Sequence, residues 1–219
     1  MRLALFDLDH TLLPFDSGMA WTHHAIAQGL LGPGYAEDYL AACQRHVAGA
    51  LDIHALHRQL VAPLAALPRE RVDAELAGFR EALAARVPQA ARALVRRHLD
   101  EGDLCVLLTA TTRPIAQAVA PLFGIDEVLA SEPAIDEQGR WSGAIAGEPC
   151  FRERKRAHVE RWLALRGLTW AALQRSWFYS DSINDVALME AVSDPVAVRP
   201  DVRLREHAVA HSWPILMLD

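Results

Sequence analysis

Little in this chain could build a disulfide framework or a zinc site. Its three cysteines, Cys43, Cys105 and Cys150, are widely spaced and form no CxxC pair, so reduced, structural thiols are expected. No apolar run reaches the ~18 to 20 residues of a membrane span. The start, MRLALFDLDH, turns charged before a signal-peptide core is complete, and a cytoplasmic location is expected. No segment concentrates Lys and Arg, and the net charge of −6 argues against DNA or RNA as partner. Lysine is absent from residues 17–86. What remains is ordinary: 219 residues, 52% hydrophobic and 23% charged, enough for a sizeable core in one domain or one with an insertion.

The hydrophobic pattern divides the chain. Residues 3–8 are nearly continuous in apolar side chains, as a parallel strand covered on both faces requires. From Ser17 to Arg86 the spacing is helical, with breaks at GLLGPG (29–34), Pro63 and Pro68, and no strand is evident. After Pro88, helix and strand alternate. Strands are expected at 103–110, 127–131, 176–182 and 194–201, with helices at 90–102, 113–124, 154–167 and 183–192; DEQGRWSG (136–143) reads as a hairpin turn decorating the main sheet. The fold class is therefore α/β: a doubly wound, Rossmann-like parallel sheet formed by 1–16 and 87–219, with an all-helical cap, 17–86, inserted after the first strand.

Ligands of open α/β sheets bind beyond the carboxyl ends of the strands. That rule gathers Asp7 and Asp9, Thr109 and Thr111, and Asp181 with Asp185, while Lys155 opens a helix. Close carboxylate pairs repel by roughly 1 to 4 kcal/mol, a conflict that a hard divalent cation resolves. An oxygen-only donor set favours Mg²⁺ over zinc, and the Mg²⁺ in turn favours a phosphate, which Thr109, Lys155 and the first loop's backbone amides could also hold. In a strand, positions 7 and 9 share a face, so Asp9 is expected to have a raised pKa as a like charge beside Asp7.

The ordered set DLDHT (7–11), LLTAT (107–111), Lys155 in RERKRAHVERWL and YSDSIND (179–185) resembles the DxDxT, T/S, K and DxxxD motifs of the haloacid dehalogenase superfamily. The first-position insertion resembles the helical C1 cap of subfamily IB, which includes phosphoserine phosphatases. The resemblance implies a Mg²⁺-dependent phosphatase acting on a small phosphorylated metabolite. Asp7 would be the nucleophile and Asp9 the general acid and base. The metal would be held by Asp7, Asp181 and the carbonyl of Asp9, with Asp185 ligating or orienting it. Leu8, Asp9, Ala110, Thr109 and Lys155 would bind phosphate.

Asp16, His10, Trp21, Arg45 and Arg58 are the expected substrate contacts. Asp16 is similar to an acidic residue that touches substrate in phosphoserine phosphatases, though it also reads as a plain helix cap, and Asp185 as a helix N-terminal charge. His23 with His24 and His54 with His57 could ligate a metal, but no third ligand stands at zinc-like spacing. Phosphoserine and histidinol phosphate are the candidate substrates. A phosphotransferase of the same superfamily and a receiver-like phosphoacceptor module remain the alternatives.

Overall fold

The structure, a computed structural model, describes residues 1–47 and 52–218, with the side chains at 45–47 and 69 outside that description. Its centre is the strand β1 (Arg2–Phe6), whose side chains alternate between two cores. Ala4 and Phe6 join one apolar cluster, Leu3 and Leu5 the other, and all four are fully buried. Each large buried side chain contributes on the order of 1.5 to 3 kcal/mol relative to exposure.

Four helices follow β1: α1 (Ser17–Ala27), α2 (Tyr35–Val47), α3 (Ile53–Ala65) and α4 (Arg69–Ala84). Asp16 caps α1 by accepting from the Met19 N–H at 2.7 Å. The chain returns through α5 (Gln89–Asp100), which buries Ala91, Leu94, Val95 and His98 at i, i+3, i+4 and i+7, to β2 (Leu104–Thr112). Next come α6 (Arg113–Val119), β3 (Glu127–Ser131) and the antiparallel hairpin β4 (Pro133–Ile135) and β5 (Trp141–Ile145). The remainder is α7 (Arg154–Leu165), β6 (Arg175–Ser180), α8 (Val186–Met189), β7 (Asp194–Val198), α9 (Val202–Ala210) and β8 (Ile215–Leu216).

Six parallel strands lie in the order β3-β2-β1-β6-β7-β8. The chain runs outward from β1 through β2 to β3 and then crosses to β6, so the order reverses between β1 and β6. That reversal opens a crevice at their carboxyl ends. Among the described residues, no helix is long and apolar enough to cross a membrane.

Three expectations change. The hairpin does not decorate the main sheet; it forms a separate two-stranded sheet packed against α3. The helix expected over 183–192 is a 3-10 turn, Ile183–Asp185, followed by the short α8, because the chain must re-extend by Asp194 to enter β7. Helix α9 and strand β8 were not expected; Asp201 starts α9 by accepting from the Leu204 N–H at 2.8 Å.

Candidate active site

The loop from Asp7 to Asp16 begins where β1 stops. Asp7 continues the ladder by donating its N–H to the Tyr179 carbonyl at 3.0 Å. Leu8, Leu12 and Leu13 are fully buried beneath the loop, which fixes it to the sheet. His10 sits at φ 60°, a left-handed conformation that costs a non-glycine residue roughly 1 to 2 kcal/mol. Arg199 clamps the turn by donating to the carbonyls of His10 and Thr11 at 3.4 and 2.6 Å.

At the end of β2 the pairing register with β3 shifts between Leu108 and Thr112. Such an irregularity re-aims side chains, and here it spans Thr109, Ala110 and Thr111. Thr109 Oγ1 accepts from the Thr111 N–H at 3.2 Å. Thr111 Oγ1 donates to Asp9 Oδ2 at 2.9 Å, and the Ser17 N–H, the first of α1, donates to Asp9 Oδ1 at 2.6 Å. Despite these donors the Asp9 carboxyl is pushed up to about 7, by burial first, then by Asp16, with Asp7 a smaller cause. The direction matches the sequence expectation; its principal cause does not.

Lys155 Nζ donates to Asp7 Oδ1 and to Asp185 Oδ2, each at 2.7 Å. Burial alone would lower this amine's pKa, but Asp185 and Asp7 outweigh it and the net shift is upward, so the ammonium persists. Ser180 Oγ also donates to Asp185 Oδ2, at 2.7 Å. Thr11 Oγ1 lies 3.1 Å from both Asp7 Oδ2 and Asp181 Oδ1, with one proton to share between two acceptors. Burial, then Asp7 and Asp185, push Asp181 up to about 8; burial raises Asp185 as well, against the pull of Lys155.

These groups open into one cavity of about 590 Å³, a size suited to a small ligand. Asp7, Asp9, His10, Thr109, Ala110, Lys155, Asp181 and Asp185 line its floor, and Asp16 its side toward the four-helix insertion. Tyr39 donates to Asp16 Oδ1 at 2.9 Å, so Asp16 serves as helix cap and cavity wall together. The side chain of Leu8 is buried below the loop and does not line the cavity.

Two expected contacts lie elsewhere. Trp21 is fully buried, edge-on to Phe79 with ring centroids 5.4 Å apart, in the core of the insertion. Arg58 points to a second, open cavity beside Asp136, Arg140 and Trp141. The Arg45 side chain lies outside the described residues.

Several residues of the site were not singled out from sequence, Tyr39, Ser180 and Arg152 among them. Tyr39 and Ser180 carried no signal in the chain order. Arg152 did not stand out from its charged run; it lines the cavity at φ 55°, with its Nε buried and unpartnered. Lys155 was singled out despite its charged run, and it is the one lysine in the chain.

Among the described residues, no three His, Cys, Asp or Glu side chains stand in metal-ligating geometry. Magnesium does not need three; one or two carboxylates suffice when water and phosphate oxygens complete its shell. Asp7 and Asp181, bridged by the Thr11 hydroxyl, are two such oxygen donors, and their crowding favours a cation. The donor set therefore fits Mg²⁺. Asp185 is engaged by Lys155 and Ser180, and the Asp9 carboxylate by Ser17 and Thr111.

A family model described as haloacid dehalogenase-like hydrolase matches residues 4–190. The chain is 36% identical to a protein of Neisseria meningitidis serogroup C named histidinol-phosphatase, over 98% of each chain. It is 33% identical to phosphoserine phosphatase SerB1 of Mycobacterium tuberculosis, over 97% of this chain and 69% of that protein. The crystal structure of a protein with unknown function from Bordetella pertussis Tohama I superposes with a TM-score of 0.91 at 39% identity, covering 100% of this chain and 99% of that one. The matched span holds the carboxylates, hydroxyls and amine that line the cavity floor, and the chain belongs to the haloacid dehalogenase-like hydrolase family.

Proposed function

We propose that the protein is a Mg²⁺-dependent phosphatase hydrolysing a small phosphate monoester through an aspartyl phosphate on Asp7. The observation that carries this reading is the convergence on Asp7 of Lys155 at 2.7 Å and, through Thr11, of Asp181, groups brought from distant parts of the chain. Residues 17–86 act as a cap over the core formed by 1–16 and 87–219, excluding water and selecting the leaving group.

The chemistry follows from the roles each position allows. An Asp7 oxygen attacks phosphorus as the bond to the substrate's alkoxy oxygen breaks, and Asp9 gives that oxygen its proton. A water then attacks the aspartyl phosphate, Asp9 takes the water's proton, and inorganic phosphate leaves while Asp7 is restored. A carboxyl held near 7 can serve in both directions at neutral pH. Lys155 offsets charge on the phosphoryl oxygens and aligns Asp7, Thr109 donates to one phosphoryl oxygen, and Asp185 orients Lys155. Asp7, Asp181 and the Asp9 carbonyl would hold Mg²⁺, which would supply neutralisation of the phosphoryl charge.

On the cavity wall Asp16 stands at the edge of the cap, and the described cap residues beside it include Tyr39 but no lysine or arginine. Asp16 favours an ammonium on the leaving group. Phosphoserine and histidinol phosphate both carry one; histidinol phosphate is favoured because it brings no carboxylate to a wall already acidic, and because a relative with 36% identity bears that activity in its name.

A panel of these two esters, ethanolamine phosphate and p-nitrophenyl phosphate, assayed with Mg²⁺, tests the reading. Phosphate release lost on chelation and in Asp7→Asn supports it. A long-lived phosphoenzyme without turnover would instead give a receiver-like module, and full activity in Asp7→Asn would remove the nucleophile.

A further inference from the structure

Helix α3 turns a defined face to the cavity. Ile53, Leu56, His57 and Leu60, at i, i+3, i+4 and i+7, all line it. Three are aliphatic; the fourth is an imidazole that is 3% exposed, and neither of its ring nitrogens has a hydrogen bond of normal geometry. The Ala144 backbone can engage at most one ring nitrogen; a buried polar group without a partner costs roughly 1 to 3 kcal/mol, so the other nitrogen, kept in an apolar wall of a binding cavity, calls for a partner that arrives with the ligand. Burial holds the imidazole's pKa down to about 4, only partly opposed by the nearby Ala144 backbone on β5. At neutral pH the ring is therefore uncharged and offers one donor and one acceptor. It cannot attract a carboxylate as a cation, but it can pair with an uncharged donor or acceptor set in an apolar body.

Resting on the phosphatase reading, we propose that His57 is a specificity-determining residue that hydrogen-bonds an uncharged nitrogen heterocycle on the substrate's leaving group, with Ile53, Leu56 and Leu60 packing against that ring. Asp16, on another wall of the same cavity, then takes the ammonium. Together the two walls specify the phosphate ester of an amino alcohol that bears a neutral heteroaromatic ring.

The test compares kcat/KM for histidinol phosphate, which carries ammonium and ring, with that for ethanolamine phosphate, which carries the ammonium alone. Two variants are measured beside the native enzyme: His57→Phe keeps a planar ring without nitrogens, and His57→Asn keeps a donor and an acceptor. The native enzyme is expected to favour the ring-bearing ester, and His57→Phe to lower the ratio of the two constants at least about tenfold, chiefly through KM. His57→Asn is expected to restore most of that ratio. Loss of both activities in equal proportion, leaving the ratio unchanged, would show a packing role and overturn the inference. So would a native enzyme that hydrolyses ethanolamine phosphate and p-nitrophenyl phosphate but shows no preference for the ring, an outcome that leaves the phosphatase reading standing. Failure of the native enzyme on every ester removes that reading itself.

Discussion

Asp9 is held by donors from opposite sides of the fold, the Ser17 N–H that opens α1 and the Thr111 hydroxyl at the irregular end of β2. An amide can keep one of those hydrogen bonds but cannot shuttle a proton. Asp9→Asn is therefore expected to lower kcat on alkyl phosphates by about 10² to 10⁴, read as steady-state phosphate release; a variant turning over near the native rate would exclude the shuttle. His57 makes a prediction of the opposite kind, about stability. Its folded pKa, about 4, lies below its ordinary 6.5, chiefly through burial, with His54 and Arg58 adding to the effect. Between those values the unfolded chain binds a proton that the folded chain does not, so stability falls as pH drops from 6.5 towards 4. Urea titrations across that window are expected to show a weaker pH dependence in His57→Asn than in the native protein. Parallel slopes would contradict the assignment of a buried neutral ring.

The sheet explains why these side chains meet. Parallel strands buried on both faces are legible as apolar runs, and β1, β2, β3 and β6 could be read that way to within a few residues. Strand β8 could not: two residues on an edge leave no run to detect. Helix α9 was overlooked although Asp201 before Leu204 and Ala208 carried a cap and an i, i+4 apolar pair. Trp21 was misplaced because helical spacing alone does not say whether an aromatic faces a cavity or, as here, Phe79. Leu5 tests the central strand. It is fully buried in the cluster that includes Val106, Phe178 and Leu188, and Leu5→Ala is expected to cost about 2 to 5 kcal/mol in urea unfolding; a loss under 1 kcal/mol would mean that this core is not packed as described.

At the scale of the molecule, the site joins segments far apart in sequence. Lys155 reaches Asp7 across 148 positions, and Thr11 reaches Asp181 across 170. Residue type and order made that convergence legible, because the carboxylates Asp7, Asp9, Asp181 and Asp185, the hydroxyls Thr109 and Thr111 and the amine Lys155 fell at strand ends and helix starts. The cavity wall was less legible. Tyr39 is 23 positions from its partner Asp16, and no local pattern says which histidine of α3 faces the cavity.

The most direct measurement is a single turnover of radiolabelled phosphate ester with Mg²⁺, quenched in acid, with the labelled peptide then mapped. Label is predicted on Asp7, forming and decaying fast enough to account for turnover, and none in Asp7→Asn. Phosphate release with no labelled enzyme, or with label on any other residue, would contradict the account.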